Sequence, residues 1–99
     1  MMKDEKLHRF TAKIADVEAI SFPIKLEEEE IYRKAAYHVN KLWQSNLSAQ
    51  PGKSSHFALA KVALAFAELY YRKAQQLSAQ SKVLESFEKE LDEILLSME

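Results

Sequence analysis

Cysteine, glycine and proline are the scarce residues of this 99-residue chain, which contains no Cys, one Gly and two Pro. Without cysteine, the chain can form no disulfide and perform no thiol chemistry, and the composition is typical of a reducing compartment. A single glycine excludes a glycine-rich phosphate-binding loop. Because Gly and Pro are the main turn formers, their scarcity predicts a mostly helical protein.

The chain also lacks a long apolar run and a strong net charge. Its longest apolar run, from Val62 to Ala67, is far shorter than the ~20 residues that cross a bilayer. The charged first ten residues do not resemble a signal peptide. A formal net charge of −1 provides no overall basic field for nucleic acid or an anionic membrane. We therefore expect a cytoplasmic protein with neither kind of partner.

Two short runs near the start alternate between apolar and polar residues, as half-buried strands do. The mostly apolar face carries His8, Phe10, Ala12 and Ile14 in the first run, and Ile20, Phe22 and Ile24 in the second. Asp16 lies between the runs, so we predict a β-hairpin. Pro23 cannot donate to a β-ladder, so the second strand either lies at an edge or ends there. Because a lone hairpin is marginal in water, it must lie on a helix.

The segment from Glu27 to Leu47 is predicted to be an amphipathic helix. Its apolar face carries Ile31, Ala35, Val39 and Leu42 at helical spacing. Four consecutive glutamates open this helix, where carboxylates interact favourably with the helix dipole, so a solvated first turn is favoured over an acidic site. Trp43 is expected to pack at the helix end instead of serving as an exposed anchor. Ser48 to Lys53 forms a turn-rich connector.

The remaining segment, residues 55–98, holds neither Gly nor Pro and is predicted to be one helix roughly 65 Å long. Ser54 or Ser55 is the expected N-cap. Such a helix is too long for so small a chain to cover, so its apolar stripe needs a partner. A heptad pattern defines a candidate oligomer interface, in which polar Lys73 and Gln80 interrupt the seam. The interface residues are Phe66, Tyr70, Leu77, Leu84, Phe87, Leu91 and Ile94.

These predictions define an α+β fold that is mostly helical. It consists of an N-terminal β-hairpin, one amphipathic helix and one long C-terminal coiled-coil helix. Residues 1–53 form a head. Residues 54–99 form the long helix, whose first half packs in the head and whose second half forms a coiled-coil stalk.

The residue pattern offers little for catalysis. His8, His38 and His56 fall in three different predicted elements without metal-ligand spacing, so surface or packing roles are favoured over a metal site. No nucleophile motif surrounds any serine. We expect no enzyme activity, no cofactor and no metal.

The first helix carries a family signature. Its segment Glu27-Glu28-Glu29-Glu30-Ile31-Tyr32-Arg33-Lys34-Ala35-Ala36, followed by Val39-Asn40, resembles the first-helix signature of ZapA, the small bacterial cell-division protein associated with the FtsZ ring. The hairpin before it and the small-residue-rich segment from Ala58 to Ala65 are similar to the same family. The resemblance extends from about Leu7 to about Leu95.

The resemblance implies a head that pairs into dimers and long helices that join two dimers into an antiparallel tetramer. Such a tetramer presents FtsZ-binding heads at both ends and cross-links or aligns filaments at the mid-cell division ring during septation. Several weak contacts held on one rigid body then act together. The family resemblance implies no catalysis by the protein itself.

The filament-binding face is less well matched to the family, because Val17-Glu18 stands where some members carry a Gly-Arg-like pair. Candidate contact residues by location are Arg9, Lys13, Glu18, His56 and Lys61. Two alternatives to a filament cross-linker stay open. A coiled-coil adaptor would recruit a different protein through its head, and a small enzyme would require titratable groups that converge in a pocket.

Overall fold

A computed structural model of the chain describes residues 7–77 and 81–98, and the side chains of residues 7–76 and 85–98 within them. The elements follow in the order β1 (Leu7–Ala12), β2 (Ile20–Lys25), a 3₁₀ turn (Leu26–Glu28), α1 (Glu29–Ala49), α2 (Ser55–Leu77) and α3 (Ser81–Ser97). The predicted hairpin, the first helix and the mostly helical character are confirmed. The C-terminal half differs, because two helices replace the single long helix.

Strands β1 and β2 form an antiparallel hairpin in which Phe10 lies opposite Phe22 and His8 lies opposite Ile24. The predicted alternation holds, since Phe22 and Ile24 are only 3% and 4% exposed. On the other face, Arg9 Nε donates to Ser21 Oγ at 2.9 Å. The hairpin therefore has one apolar face for a helix and one polar face for solvent.

Three aromatic rings attach the hairpin to α1. The ring centroids of Phe10 and Phe22 lie 5.8 Å apart, and Tyr32 of α1 lies 5.7 Å from the first and 5.5 Å from the second. Tilted and edge-on pairs at such distances contribute about 0.5–1.5 kcal/mol each beyond their area burial. This cluster, the aromatic joint, covers the apolar face that the hairpin cannot bury alone.

Helix α2 begins beside the end of α1. Trp43 Nε1 donates to the Ser55 carbonyl oxygen at 3.1 Å, so Trp43 contacts the start of α2 and is half-buried instead of serving as an exposed anchor. Ser54 is the N-cap, since its Oγ accepts from the backbone N–H of Phe57 at 3.0 Å. Ala58 and Val62, each 3% exposed, form the buried face of the first half of α2.

Helix α3 folds back onto the end of α2. The rings of Tyr70 and Phe87 lie 5.2 Å apart, and Tyr71 Oη donates to Glu88 Oε2 at 2.9 Å across 17 sequence positions. In a straight helix such positions would be ~25 Å apart. The prediction of one continuous helix is therefore wrong. The physical reason is that folding back lets the aromatic seam residues of one chain bury each other instead of facing water.

We predict that Phe22→Ala lowers the free energy of unfolding by about 3–5 kcal/mol, because it removes a buried ring from the aromatic joint and leaves a cavity. Phe57→Ala is the matched control, since Phe57 is 42% exposed and its loss should cost about 1 kcal/mol or less. Urea denaturation followed by circular dichroism measures both. Equal losses of unfolding free energy in Phe22→Ala and Phe57→Ala would contradict the stabilising role of the aromatic joint.

Candidate functional site

The turn between β1 and β2 is held by Asn40 of α1. Asn40 Oδ1 accepts from the backbone N–H of Ala15 at 2.6 Å, and its Nδ2 donates to the carbonyl oxygen of Lys13 at 2.9 Å. Ala15 has a φ of +56°, a left-handed conformation that costs a residue with a Cβ about 1–2 kcal/mol. The two amide hydrogen bonds therefore hold a strained turn in one position.

Asn40 belongs to the family signature of the first helix, but the sequence pattern alone indicates no role for it. The signal that identifies it is its position on the half-buried side of α1, shared with Val39 and Trp43. A polar side chain on a packed face requires hydrogen-bond partners. An amide, with both a donor and an acceptor, is suited to hold a backbone turn.

A second hydrogen bond ties the same turn to α2. Ser55 Oγ donates to Asp16 Oδ2 at 2.6 Å. This bond is the largest cause of the lowered pKa of Asp16, and the nearby charges of His56 and Lys13 lower it further. The turn is thus fixed to both helices, and we name this region, Lys13 to Glu18 with Ser55 and His56, the turn end of the head.

Three of the five predicted filament-contact residues belong to the turn end. Lys13 Nζ donates to the Val17 carbonyl oxygen at 3.1 Å, and Glu18 and His56 are exposed. The structure does not bring the other two there. Arg9 lies on the polar face of β1 against Ser21, and Lys61 lies along α2, where its Nζ donates to Gln50 Oε1 at 3.2 Å.

Two of the four glutamates at the start of α1 pair with bases of the same helix. Arg33 Nη2 lies 2.5 Å from Glu29 Oε2, and Lys34 Nζ lies 3.2 Å from Glu30 Oε2. The hydrogen bond from Arg33 is the main cause of the lowered pKa of Glu29. His8 Nε2 lies 3.4 Å from the other oxygen of Glu29. These pairs fit a solvated helix start and not an acidic ligand site.

Four of the predicted oligomer residues share one hollow between α2 and α3. Tyr70, Phe87, Leu91 and Ile94 line it together with Glu90. Burial of Tyr70, followed by the negative charges of Glu88 and Glu90, raises the pKa of its hydroxyl. Leu91 and Ile94 stay 48% and 44% exposed, so the hollow is an open apolar surface.

The other three predicted oligomer residues lie elsewhere. Phe66, 41% exposed, lines a separate hollow between α1 and α2 with Ile31 and Val39. The side chains of Leu77 and Leu84 fall outside the described residues. The heptad pattern therefore grouped residues that the structure divides between two surfaces.

Comparisons with protein-family models, curated proteins and solved structures found no match. Within residues 7–77 and 81–98, no helix combines the length and apolar character that a membrane span requires. In the same ranges, no three His, Asp or Glu side chains lie together as a metal site would need. His8, His38 and His56 lie on β1, α1 and α2.

We predict that Ser55→Ala raises the pKa of Asp16 toward its ordinary value of 3.8, because the variant removes the main hydrogen bond to the carboxylate. A pKa that is lowered on folding contributes stability above the unfolded pKa, and this contribution is lost as the pH falls through the folded pKa. The variant should therefore lose stability at neutral pH relative to acid pH. NMR titration of the carboxyl carbon measures the shift.

Ser54→Ala is the matched control. It removes the N-cap of α2 and should lower the free energy of unfolding by about 0.5–2 kcal/mol. Because Ser54 does not contact Asp16, the pKa of Asp16 should stay as in the parent protein. An unchanged Asp16 titration in Ser55→Ala would contradict the tie between the turn and α2.

Proposed function

We propose that this protein is a bacterial cell-division accessory protein that binds FtsZ filaments through its head and cross-links or aligns them as a dimer or antiparallel tetramer. It would act in the cytoplasm, at the mid-cell division ring. The observation that carries the proposal is an open apolar row on α3, beside the contact of Tyr70 with Phe87. The resemblance of the first helix to ZapA supports the choice of filament.

The apolar row on α3 leaves several large side chains exposed to water, and such a surface favours a partner. Leu91, Ile94, Leu95 and Leu96 are 48%, 44%, 55% and 63% exposed. The first three recur at helical spacing and share one face of α3. Contiguous apolar surface of this kind marks an interaction site. A second copy of the chain supplies the same row and is the simplest partner.

The fold-back of α3 indicates how two copies would associate. Within one chain, Tyr70 contacts Phe87 and Tyr71 bonds Glu88. If α3 of one copy packs instead against α2 of another, the same side-chain pairs form between chains. Exchange of an identical element between protomers is a low-cost route to an oligomer. If the paired helices of two copies ran in opposite directions, the two heads would lie at opposite ends of the assembly.

The head would carry the filament contact. Asn40 and Ser55 tie the hairpin turn to both helices, so the surface around Lys13, Glu18 and His56 is held in one orientation. A rigid surface loses little entropy on binding. Two or more such heads on one body turn weak single contacts into filament cross-links.

Cosedimentation with FtsZ polymers from the same bacterium tests the proposal. We expect the protein to enrich with the polymers at micromolar concentration and low salt, and to bundle filaments as seen by light scattering. No enrichment under these conditions would overturn the filament assignment. A pull-down that returns a different protein, with FtsZ absent, would favour a coiled-coil adaptor.

We predict that Phe87→Glu shifts the assembly toward smaller oligomers, because it places a charge in the apolar hollow where association would bury it. Light scattering coupled to size exclusion measures the mass, and filament bundling should fall with it. Glu93→Ala, on an exposed position of the same helix, should leave the mass unchanged.

Phe87 also contacts Tyr70 within the chain, so a second variant separates association from folding. Ile94→Glu changes a side chain that is 44% exposed and should reduce the mass while the helical circular dichroism stays as in the parent protein. The parent mass in both Phe87→Glu and Ile94→Glu would overturn the assignment of α3 to self-association.

A further inference from the structure

An open groove runs along α1 beside the hairpin turn, apart from the apolar hollows described above. It has a volume of about 410 Å³, within the size range of ligand sites in proteins. We name it the basic groove. Its lining includes Lys13, Ala15, Tyr37, Asn40, Lys41 and Gln44.

The two lysines of the groove are held by neutral partners. Lys13 Nζ donates to the Val17 carbonyl oxygen at 3.1 Å, and Lys41 Nζ lies 5.9 Å from the ring centroid of Tyr37. No acidic side chain is among the residues that line the groove. The carboxylate of Asp16 is negatively charged, and its pKa is lowered by the hydrogen bond from Ser55 and also by the nearby charge of Lys13, but Asp16 does not line the groove. The lining itself carries two positive side chains and no negative one.

The cations near the start of α1 pair with carboxylates, unlike the two lysines that line the groove. Arg33 and Lys34 lie about two turns before Lys41, and each pairs with a glutamate of the first turn. Those two ion pairs lie at the start of the helix and do not reach its middle. No acidic side chain lines the groove beside Lys13 and Lys41.

The groove also contains an aromatic ring, and its two sides, the hairpin turn and α1, are held together. Tyr37 is 59% exposed, so its ring offers a flat aromatic surface beside Lys41. Asn40 bonds the backbone of Lys13 and Ala15, which holds the hairpin wall against the helix wall. A preformed groove of this kind binds a flexible ligand at a lower entropic cost.

We infer that the basic groove docks an acidic peptide segment of a protein partner. Carboxylates of the segment would pair with Lys13 and Lys41, and the methylene groups between them would pack on the ring of Tyr37. Two cations neutralise few phosphates, and binding to nucleic acid depends on several such contacts, so a peptide fits better than a nucleic acid. The inference rests on the proposed function only for the identity of the partner.

Fluorescence anisotropy with a short fluorescein-labelled peptide of alternating Glu and Leu tests the groove directly. We expect saturable binding that weakens as salt screens the lysines, and no binding of the same peptide with Gln in place of Glu. Lys41→Glu should weaken binding about tenfold or more, because it turns an attraction into a repulsion.

Lys53→Glu is the matched control. Lys53 makes the same kind of contact, with its Nζ 5.2 Å from the ring centroid of Phe57, but it lies outside the groove. Its charge reversal should change peptide affinity less than about twofold. Equal weakening by Lys41→Glu and Lys53→Glu, or no binding of the Glu-containing peptide, would overturn the groove. Binding of single-stranded DNA that depends on Lys41, without binding of the peptide, would overturn the peptide assignment.

The filament assay separates this inference from the proposed function. If the peptide binds through Lys41 and FtsZ polymers do not enrich the protein, the groove stands and the filament assignment fails. If polymers enrich Lys41→Glu and the parent protein equally and the peptide does not bind, the filament assignment stands and the groove fails.

Discussion

The packing of the hairpin's apolar face against α1 is the contact on which the rest of the head depends. Two strands alone do not bury enough surface to persist in water. The rings of Phe10, Phe22 and Tyr32 supply the missing cover. Once the hairpin lies on α1, its turn meets Asn40 and Ser55, whose hydrogen bonds then fix a strained backbone. The contacts of the turn with Asn40 and Ser55 therefore depend on the packing of the hairpin against α1.

The apolar side chains of α2 and α3 also need to be covered, but here the cover is incomplete. Tyr70 and Phe87 cover each other when α3 folds back, yet the leucines and isoleucine further along α3 stay exposed. The head also leaves apolar side chains in water, among them Ile31 at 68% and Phe66 at 41% exposed. Our proposal assigns self-association to α3 because its apolar row lies beside the contact of Tyr70 with Phe87.

The charged side chains also fall into two groups, those paired along α1 and those that the fold brings together. At the acidic start of α1, Glu29 and Glu30 each pair with a base one turn later. Lys13 comes from the hairpin and Lys41 from the middle of α1, so no local sequence pattern pairs them. Only the docking of the turn on the helix brings both to one groove. A chain of net charge −1 can therefore still present a basic surface.

The sequence by itself determined the elements whose cause is local. Alternation specified the hairpin, helical spacing specified α1, and Ser54 specified the start of α2. Tertiary structure alone decided the fold-back of α3, the role of Asn40 and the separation of Phe66 from the hollow of Tyr70. A periodic pattern records which face of a helix is apolar and not which surface covers it. That choice depends on contacts between residues distant in sequence.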